Sequence, residues 1–365
     1  MGTHPPIYKE QIDILLKSQS IEFNSMTPTQ KPRIGITLGD YNGVGPEVVI
    51  KALADNRLLN LVTPVIYGST RVISFYKKLL NMEEFNYTQV RNKGQFTLKS
   101  INVINSWGEE TFEINPGKAS RESGKAALIA LKQASTELKE GVIDALVTAP
   151  IDKHTIHSDE FPFKGHTEFL TQFFEAGESL MFMVSDKLRV GLVTEHVAVK
   201  DIAASITKEK IEAKLKIMDS SLRKDFGITK PRIAVLGLNP HAGDNGLLGD
   251  EEEQIIRPLV QDQKNKGKLV YGPFPADGFF AAGSHLKYDG ILAMYHDQGL
   301  VPFKSIAFED GVNFTAGLPI VRTSPDHGTG YGIAGKNQAN EGSLREAIYR
   351  AAEIFRQRVE PSKEK

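Results

Sequence analysis

Apolar residues along this chain fall into short runs bounded by glycine, proline and polar clusters, and these alternate with longer segments of helical period. Arg33 to Leu38 runs into an apolar stretch that predicts a first strand. A glycine-rich turn, Gly39 to Glu47, follows, and Val48 to Leu53 then has helical period. Pro46 suits a first helical position, and Glu47 suits the positive end of a helix. Val62 to Tyr67 predicts a second strand, Thr70 to Leu80 a helix, and Phe85 to Phe112 a mixed, strand-rich stretch. Ser120 to Lys139 predicts a strong helix, and Ile143 to Thr148 a strand closed by Ala149-Pro150. The order β-α-β-α, then β-α-β, predicts an α/β fold with a largely parallel sheet.

In the second half, Lys164 to Leu170 reads as a loop entering a helix, with His166 and Thr167 at its N-terminal end. A plain N-cap is the competing role for Thr167. Arg189 to Thr194 predicts a strand that ends in Glu195-His196. Ile206 to Leu222 is helical, and Arg232 to Leu236 is a strand running into Gly237-Leu238-Asn239-Pro240-His241-Ala242-Gly243-Asp244. Gly249 to Asp262 predicts a helix with an acidic first turn. Gly290 to Ala293 reads as a buried strand, followed by Met294-Tyr295-His296-Asp297-Gln298-Gly299. A final helix is predicted over Ser343 to Val359. The stretch before residue 32 is polar and mixed and reads as an N-terminal tail.

Composition narrows the function classes. With 365 residues the chain is long enough for about two domains, and 40% hydrophobic content allows a sizeable core. A net charge of −1 argues against nucleic acid or an anionic membrane as the main partner. The absence of cysteine excludes disulfides, thiolate metal sites and cysteine nucleophiles. Any metal is held by His, Asp, Glu or carbonyl oxygen. No apolar run reaches membrane-span length and no signal-peptide core is present, so a cytoplasmic location is expected.

His196, His241 and His296 each follow a strand-like run. Parallel strands end on one edge of a sheet, and three neutral imidazoles with an open position make a catalytic metal site. A buried, satisfied histidine is the competing reading for each alone. Asp244, Asp277 and Asp297 are candidate partners for imidazole N–H groups. Asp277 is open to two further readings, a base or a loop cap. Lys304, Asn313 and Arg322 interrupt apolar runs downstream, and the two cations suit a phosphate or carboxylate. The turn Gly39 to Glu47 is neither G-x-G-x-x-G nor a P-loop, and suits close approach of a cofactor or a simple βα turn.

Gly39-Asp40 through Gly45-Pro46-Glu47, Gly165-His166-Thr167-Glu168, Asn239-Pro240-His241-Ala242-Gly243, Met294-Tyr295-His296-Asp297-Gln298-Gly299, Gly311-Val312-Asn313 and Arg322-Thr323-Ser324 occur in this order. Together, over about residues 32 to 358, they resemble the 4-hydroxythreonine-4-phosphate dehydrogenase family of pyridoxal phosphate biosynthesis. The resemblance implies a two-domain fold like isocitrate and isopropylmalate dehydrogenases. Residues 32–150 plus about 305–365 would form a cofactor-side domain, and about 151–304 a metal, substrate and dimerisation domain. It implies oxidation and decarboxylation of 4-phosphooxy-L-threonine with NAD or NADP. One divalent metal (zinc, magnesium, cobalt or manganese) would be held by His196, His241 and His296. Substrate contacts would come from His166, Thr167, Lys304, Asn313 and Arg322. Cofactor contacts would come from Gly39, Asp40, Gly45, His327, Gly328, Thr329 and Asn340, with the adenosine near His327 and Asn340. Lys304 is the expected proton donor to the enolate, and Asp277, with His166, the expected route for the hydroxyl proton. A homodimer is implied, with His296 reaching the metal from the partner chain.

Two departures stand out. Glu195 precedes the first metal histidine where the family commonly has threonine, and Tyr41-Asn42 stands where Pro-Ala is common. Either suits a sister activity on phosphorylated threonate or erythronate, or on aromatic cis-dihydrodiols. Readings from other classes are a metal hydrolase or aldolase using the same histidines, and a non-catalytic phosphate-ligand binding protein.

Overall fold

The computed structural model describes residues 31–108 and 112–360. The expected N-terminal tail, Lys31 apart, lies outside the described residues. The strands are β1 (Arg33–Thr37), β2 (Thr63–Gly68), β3 (Thr88–Val90), β4 (Asn102–Asn105), β5 (Ala145–Thr148), β6 (Leu180–Val184), β7 (Arg189–Leu192), β8 (Ile233–Leu236), β9 (Val270–Phe274), β10 (Gly290–Ala293), β11 (Val312–Ala316) and β12 (Arg322–Pro325). The helices of eight or more residues are α1 (Gly45–Leu53), α2 (Thr70–Leu79), α3 (Arg121–Lys139), α4 (His166–Phe173), α5 (Lys208–Lys224), α6 (Arg257–Asn265), α7 (His296–Ile306) and α8 (Gly342–Val359). None of the described helices is long and apolar enough to cross a membrane.

One sheet takes in all twelve strands, in the order β3-β4-β2-β1-β5-β12-β11-β6-β7-β10-β8-β9. The flank from β3 to β12 is parallel throughout. So is the flank from β7 to β9. Between them, β12 with β11, β11 with β6 and β6 with β7 pair antiparallel. Three reversals leave the two parallel flanks running in opposite directions. The carboxyl ends of β7, β10 and β8 therefore share an edge with the amino end of β12. Register makes this concrete. Thr315 pairs Met181, and continuing the strand ladders by one residue places Arg322 and Leu192 in the same row.

Local sequence explains the well-defined elements. Ile34 and Ile36 of β1 are fully buried, and so are both of its parallel neighbours. A strand covered on both faces reads as a continuous apolar run rather than an alternating one. Ser120 caps α3 by accepting the Ser123 N–H at 3.1 Å, an interaction typically worth ~1 kcal/mol. Ala126, Ala127, Ala130 and Ala134 are buried, and their small side chains let α3 lie close on the sheet. Helix α7 starts right after β10 and folds back, carrying its C-terminal half toward β12. That return path roofs the central strands and creates the cavity described next.

Candidate active site

A cavity of about 370 Å³ lies over the middle of the sheet. Met181, Met183, Asn313, Arg322 and Ser324 form its floor, on one face of β6, β11 and β12. His196 and His296 stand at the edge where β7 and β10 end. Their ring centroids are 5.9 Å apart. Adjacent parallel strands, about 4.8 Å apart, deliver both rings to the same place. His296 Nδ1 lies 2.7 Å from Asp297 Oδ1, which orients the ring and leaves Nε2 free. Burial first, then Lys153 and His296, hold the His196 pKa below the ordinary imidazole value. His196 is thus neutral at pH 7, the form that ligates a metal.

His241 does not join them. It follows β8, which pairs with β10, so the three strand ends do share one edge. Beyond Pro240, however, His241, Ala242, Gly243, Asp244 and Asn245 all have positive φ, between 42° and 80°. A left-handed run costs roughly 1–2 kcal/mol for each residue other than glycine. Glu252 pins it in place. Its buried carboxylate accepts the Leu238 and Asn239 N–H groups at 2.6 and 2.7 Å and the Asn239 amide at 2.9 Å. The turn carries His241 out to an exposed position and away from the cavity lining. Among the described residues no three or more His, Asp or Glu gather as a metal-binding group. The expected grouping was His196 with His241, and His296 from a partner; the single chain brings together a different pair. His196 and His296 pair, and His241 stands apart.

The anion-binding residues come together. Arg322 is 3% exposed and has no carboxylate partner among the described residues. Its guanidinium donates to Thr148 Oγ1 at 2.6 and 3.1 Å and to Thr315 Oγ1 at 2.9 Å. Burial pulls its pKa down to about 9. Beside it the buried His166 Nε2 and Asn313 Oδ1 have no hydrogen-bond partner among the described residues. Burial, then Arg322, hold the His166 pKa well below its usual value. A desolvated cation with an unpartnered imidazole nitrogen beside it fits an anion, and the Asn313 amide oxygen, an acceptor, fits a donor group of the same ligand. Thr167 also lines the cavity, one residue into α4, whose N-cap is Gly165. It is not the N-cap.

Lys304 reaches the cavity from α7 and lies 3.0 Å from Asp326 Oδ1. Asp326 is the residue missed in sequence. Burial raises its pKa, with Lys304 opposing. Its one available signal is position, directly before His327-Gly328. Thr148, at the end of β5, was likewise unremarkable in sequence. Asp277 is exposed in a short helix, residues 276–281, and does not line the cavity. The strand β9 ends at Phe274 and the chain turns away into that helix, so the base role has no support within one chain.

The cofactor-side residues divide into two groups. His327, Gly328 and Asn340 line a second cavity of about 360 Å³, together with Val44, Ile333 and Ala339. Asp326, His327 and Gly328 line both cavities, so the two adjoin. Gly39, Asp40, Gly45 and Thr329 line neither. Gly39 has φ +65° and a side chain there would meet the Pro150 carbonyl at 2.1 Å. At Gly45 the obstacle is the Leu38 carbonyl, at 2.2 Å. Asp40 is fully buried and accepts hydroxyls of Ser123 at 2.9 Å and Tyr331 at 2.8 Å, plus the Asn42 N–H at 2.9 Å. Thr329 offers its carbonyl to the Val44 N–H at 2.8 Å. This turn is a clasp holding the two chain ends together, and it shapes the second cavity from behind.

A family model described as pyridoxal phosphate biosynthetic protein PdxA matches residues 60–351. The chain belongs to that family. It is 52% identical over 329 residues to the 4-hydroxythreonine-4-phosphate dehydrogenase of Bacteroides thetaiotaomicron, covering 90% of each chain. It is 36% identical to the D-threonate 4-phosphate dehydrogenase of Pectobacterium atrosepticum, covering 88% of this chain and 98% of that one. The crystal structure of the Klebsiella pneumoniae 4-hydroxythreonine-4-phosphate dehydrogenase superposes with a TM-score of 0.78 at 34% identity, covering 90% and 99%. The α/β fold expected from sequence is therefore that of PdxA family members, and the protein is an oxidoreductase of this family.

Proposed function

We propose that the protein oxidises the secondary hydroxyl of 4-phosphooxy-L-threonine with a nicotinamide dinucleotide. Carbon dioxide then leaves the β-keto acid, giving 3-amino-2-oxopropyl phosphate for vitamin B6 synthesis. The observation that carries this reading is Arg322, a buried guanidinium facing only hydroxyls, in the cavity that also holds His196 and His296. Arg322 and Lys304 bring charge to the phosphate and carboxylate, Arg322 as a fork and Lys304 as a point charge. His166, with Nε2 in the N–H tautomer, and Asn313 complete the cradle.

The row from Arg322 to Leu192 crosses three strand spacings, about 14 Å between backbones. The guanidinium is held between Thr148 of β5 and Thr315 of β11, so the phosphate would lie over β12 and the rest of the substrate would extend across the floor toward the two histidines. His196 and His296, with His241 of the partner subunit, would hold one divalent cation. The His196 nitrogen and the His296 imidazole oriented by Asp297 fit such an ion, and the exposed His241 fits a ligand given to another copy. Such a cation lowers the pKa of a bound hydroxyl and polarises the ketone that follows. A bound dinucleotide, NAD or NADP, would supply the hydride acceptor, and His327, Gly328 and Asn340 of the second cavity would hold its adenosine side.

The proton path uses the chain's own residues. Asp326 takes the hydroxyl proton, the role expected of Asp277. Lys304 donates a proton to the carbon that carbon dioxide leaves. Asp326, 3.0 Å away, then returns its proton to Lys304. The parallel flank ending in β12 is the proposed cofactor-side domain and the flank from β6 to β9 the metal-side domain.

Absorbance of reduced nicotinamide, followed after adding 4-phosphooxy-L-threonine, NAD or NADP and a divalent metal, tests the reading. Turnover with release of carbon dioxide is the expected result. Binding of the substrate without any reduction would overturn it in favour of a phosphate-ligand binding protein. Turnover of D-threonate 4-phosphate alone would assign the sister activity instead.

A further inference from the structure

The cavity carries one feature that phosphate, hydroxyl and cofactor binding leave unused. After β7 the chain bends twice, at Glu195 and His196, and both side chains line the cavity. Glu195 forms no ion pair among the described residues, although Lys214 and Lys210 of α5 face it. Lys214 turns instead toward Glu178 and the Ser179 carbonyl. The Met181 backbone, which also lines the cavity, lies near the Glu195 carboxylate. Glu168, in the first turn of α4, lines the same cavity and is held by the Lys164 N–H, also without an ion pair.

Lys304 is paired with Asp326, and Arg322 is left for a phosphate. Two carboxylates, Glu195 and Glu168, lie in the same lining as His196 and form no ion pair among the described residues, and Lys153 and Lys164 line the cavity with them. A ligand with only phosphate, carboxylate and hydroxyl groups offers these two carboxylates no cationic partner. A ligand with an ammonium group on the carbon next to the reacting carbinol would meet them as partners. The two substrates named among the relatives differ at that carbon, which carries an amine in 4-phosphooxy-L-threonine and a hydroxyl in D-threonate 4-phosphate.

We propose that Glu195, supported by Glu168, recognises the substrate ammonium group and sets the preference for the amino acid over the hydroxy acid. The inference rests on the function proposed above and adds to it a specificity-determining residue. Position favours Glu195 as the main contact. It directly precedes His196, so its carboxylate flanks the place where the hydroxyl is held, and the ammonium is bonded to the next carbon along. A carboxylate–ammonium pair away from bulk water is a charge-assisted bond, and removing one such charge leaves the other desolvated and unpaired.

The test compares wild type, Glu195→Gln and Glu195→Asp. For each, kcat/KM is measured for 4-phosphooxy-L-threonine and for D-threonate 4-phosphate. Dissociation constants of both compounds are measured by calorimetry without nicotinamide, and bound metal is measured for every variant. Glu195→Gln is expected to weaken the amino acid by about tenfold or more in both kcat/KM and binding, with the hydroxy acid unchanged or improved. Glu195→Asp, which keeps the charge, is expected to recover part of the preference. Equal losses on both compounds, or a loss that follows metal content, would overturn the proposal. So would an unchanged ratio between the two compounds. A wild type that turns over neither compound, or only the hydroxy acid, would refute the proposed function itself, an outcome distinct from an unchanged ratio in an active enzyme.

Discussion

Replacing Arg322 by methionine should leave the empty protein as stable as before, or slightly more stable, while destroying its response to phosphate. The guanidinium is buried and its pKa falls from 12.5 to about 9, through desolvation. That drop corresponds to a penalty on the order of 5 kcal/mol for keeping the charge inside. Its three hydrogen bonds to Thr148 and Thr315 offset about 3 kcal/mol of this. The empty site thus stores a net cost of about 2 kcal/mol. Methionine, unbranched and similar in length, removes that cost and leaves two hydroxyls short of a donor, so the changes nearly cancel. A bound phosphate repays the wild-type cost through charge-assisted bonds worth about 1.5–3 kcal/mol, or roughly 10- to 150-fold in affinity.

The pH dependence has a definite sign. The folded-state pKa lies below the unfolded one, so folding favours the uncharged form. The penalty is present in full below about pH 9 and fades as pH rises from about 9 toward 12.5. Phosphate binding, which needs the charged form, weakens over the same rise. The assay is the thermal midpoint of wild type and Arg322→Met against inorganic phosphate, at pH 7 and at pH 9.5. Wild type should gain stability with phosphate at pH 7 and gain less at 9.5, and the variant should gain nothing at either. A variant that is several kcal/mol less stable without phosphate, yet equally stabilised by it, would mean that Arg322 is a structural residue and phosphate binds elsewhere.

Other outcomes follow from particular contacts. Glu252→Ala removes the acceptor of three donors that pins the left-handed run, so bound metal should fall several-fold, read by elemental analysis, while the circular dichroism spectrum of the sheet persists. Gly328 lines both cavities and has no heavy atom within 4 Å of a built Cβ, so Gly328→Leu should raise the Michaelis constant for the dinucleotide about tenfold or more without lowering the thermal midpoint. The His196 pKa is lowered, so its neutral form adds stability above about pH 6.5 that is lost as pH falls below it; metal retention measured by dialysis should decline over that same acid range. Mixed refolding of His196→Ala with His241→Ala should restore activity to about a quarter of wild type, because half the dimers are mixed and one of their two sites collects no mutation. The same mixture of His196→Ala with His296→Ala should restore nothing, and recovery there would refute the pairing of those two within one chain.

Why some of this was legible in sequence and some was not follows from where each constraint resides. The strand Gly290–Ala293 and the helix after Ser120 were legible because both are set locally, the first by a bounded apolar run and the second by a cap and a small-residue face. The strands β6, β11 and β12 were not assigned, although Leu180–Val184 is apolar throughout. They are short and pair antiparallel, while the alternation of strands and helices argues only for parallel neighbours. The reversal they create decides which strand ends share an edge, and so decides that Arg322, at the start of a strand, faces histidines at the ends of two others. An arginine read alone is a surface residue by default, and only the sheet register makes this one a buried anion site. His241 shows the same limit from the other side. Asn239-Pro240-His241-Ala242-Gly243-Asp244 announces a turn, but its hand is imposed by Glu252, thirteen residues from Asn239, through hydrogen bonds that no local pattern encodes. Residues placed by strand order or by a distant carboxylate therefore needed the fold before their chemistry could be assigned, whereas the identity of the chemistry was already present in the residue types.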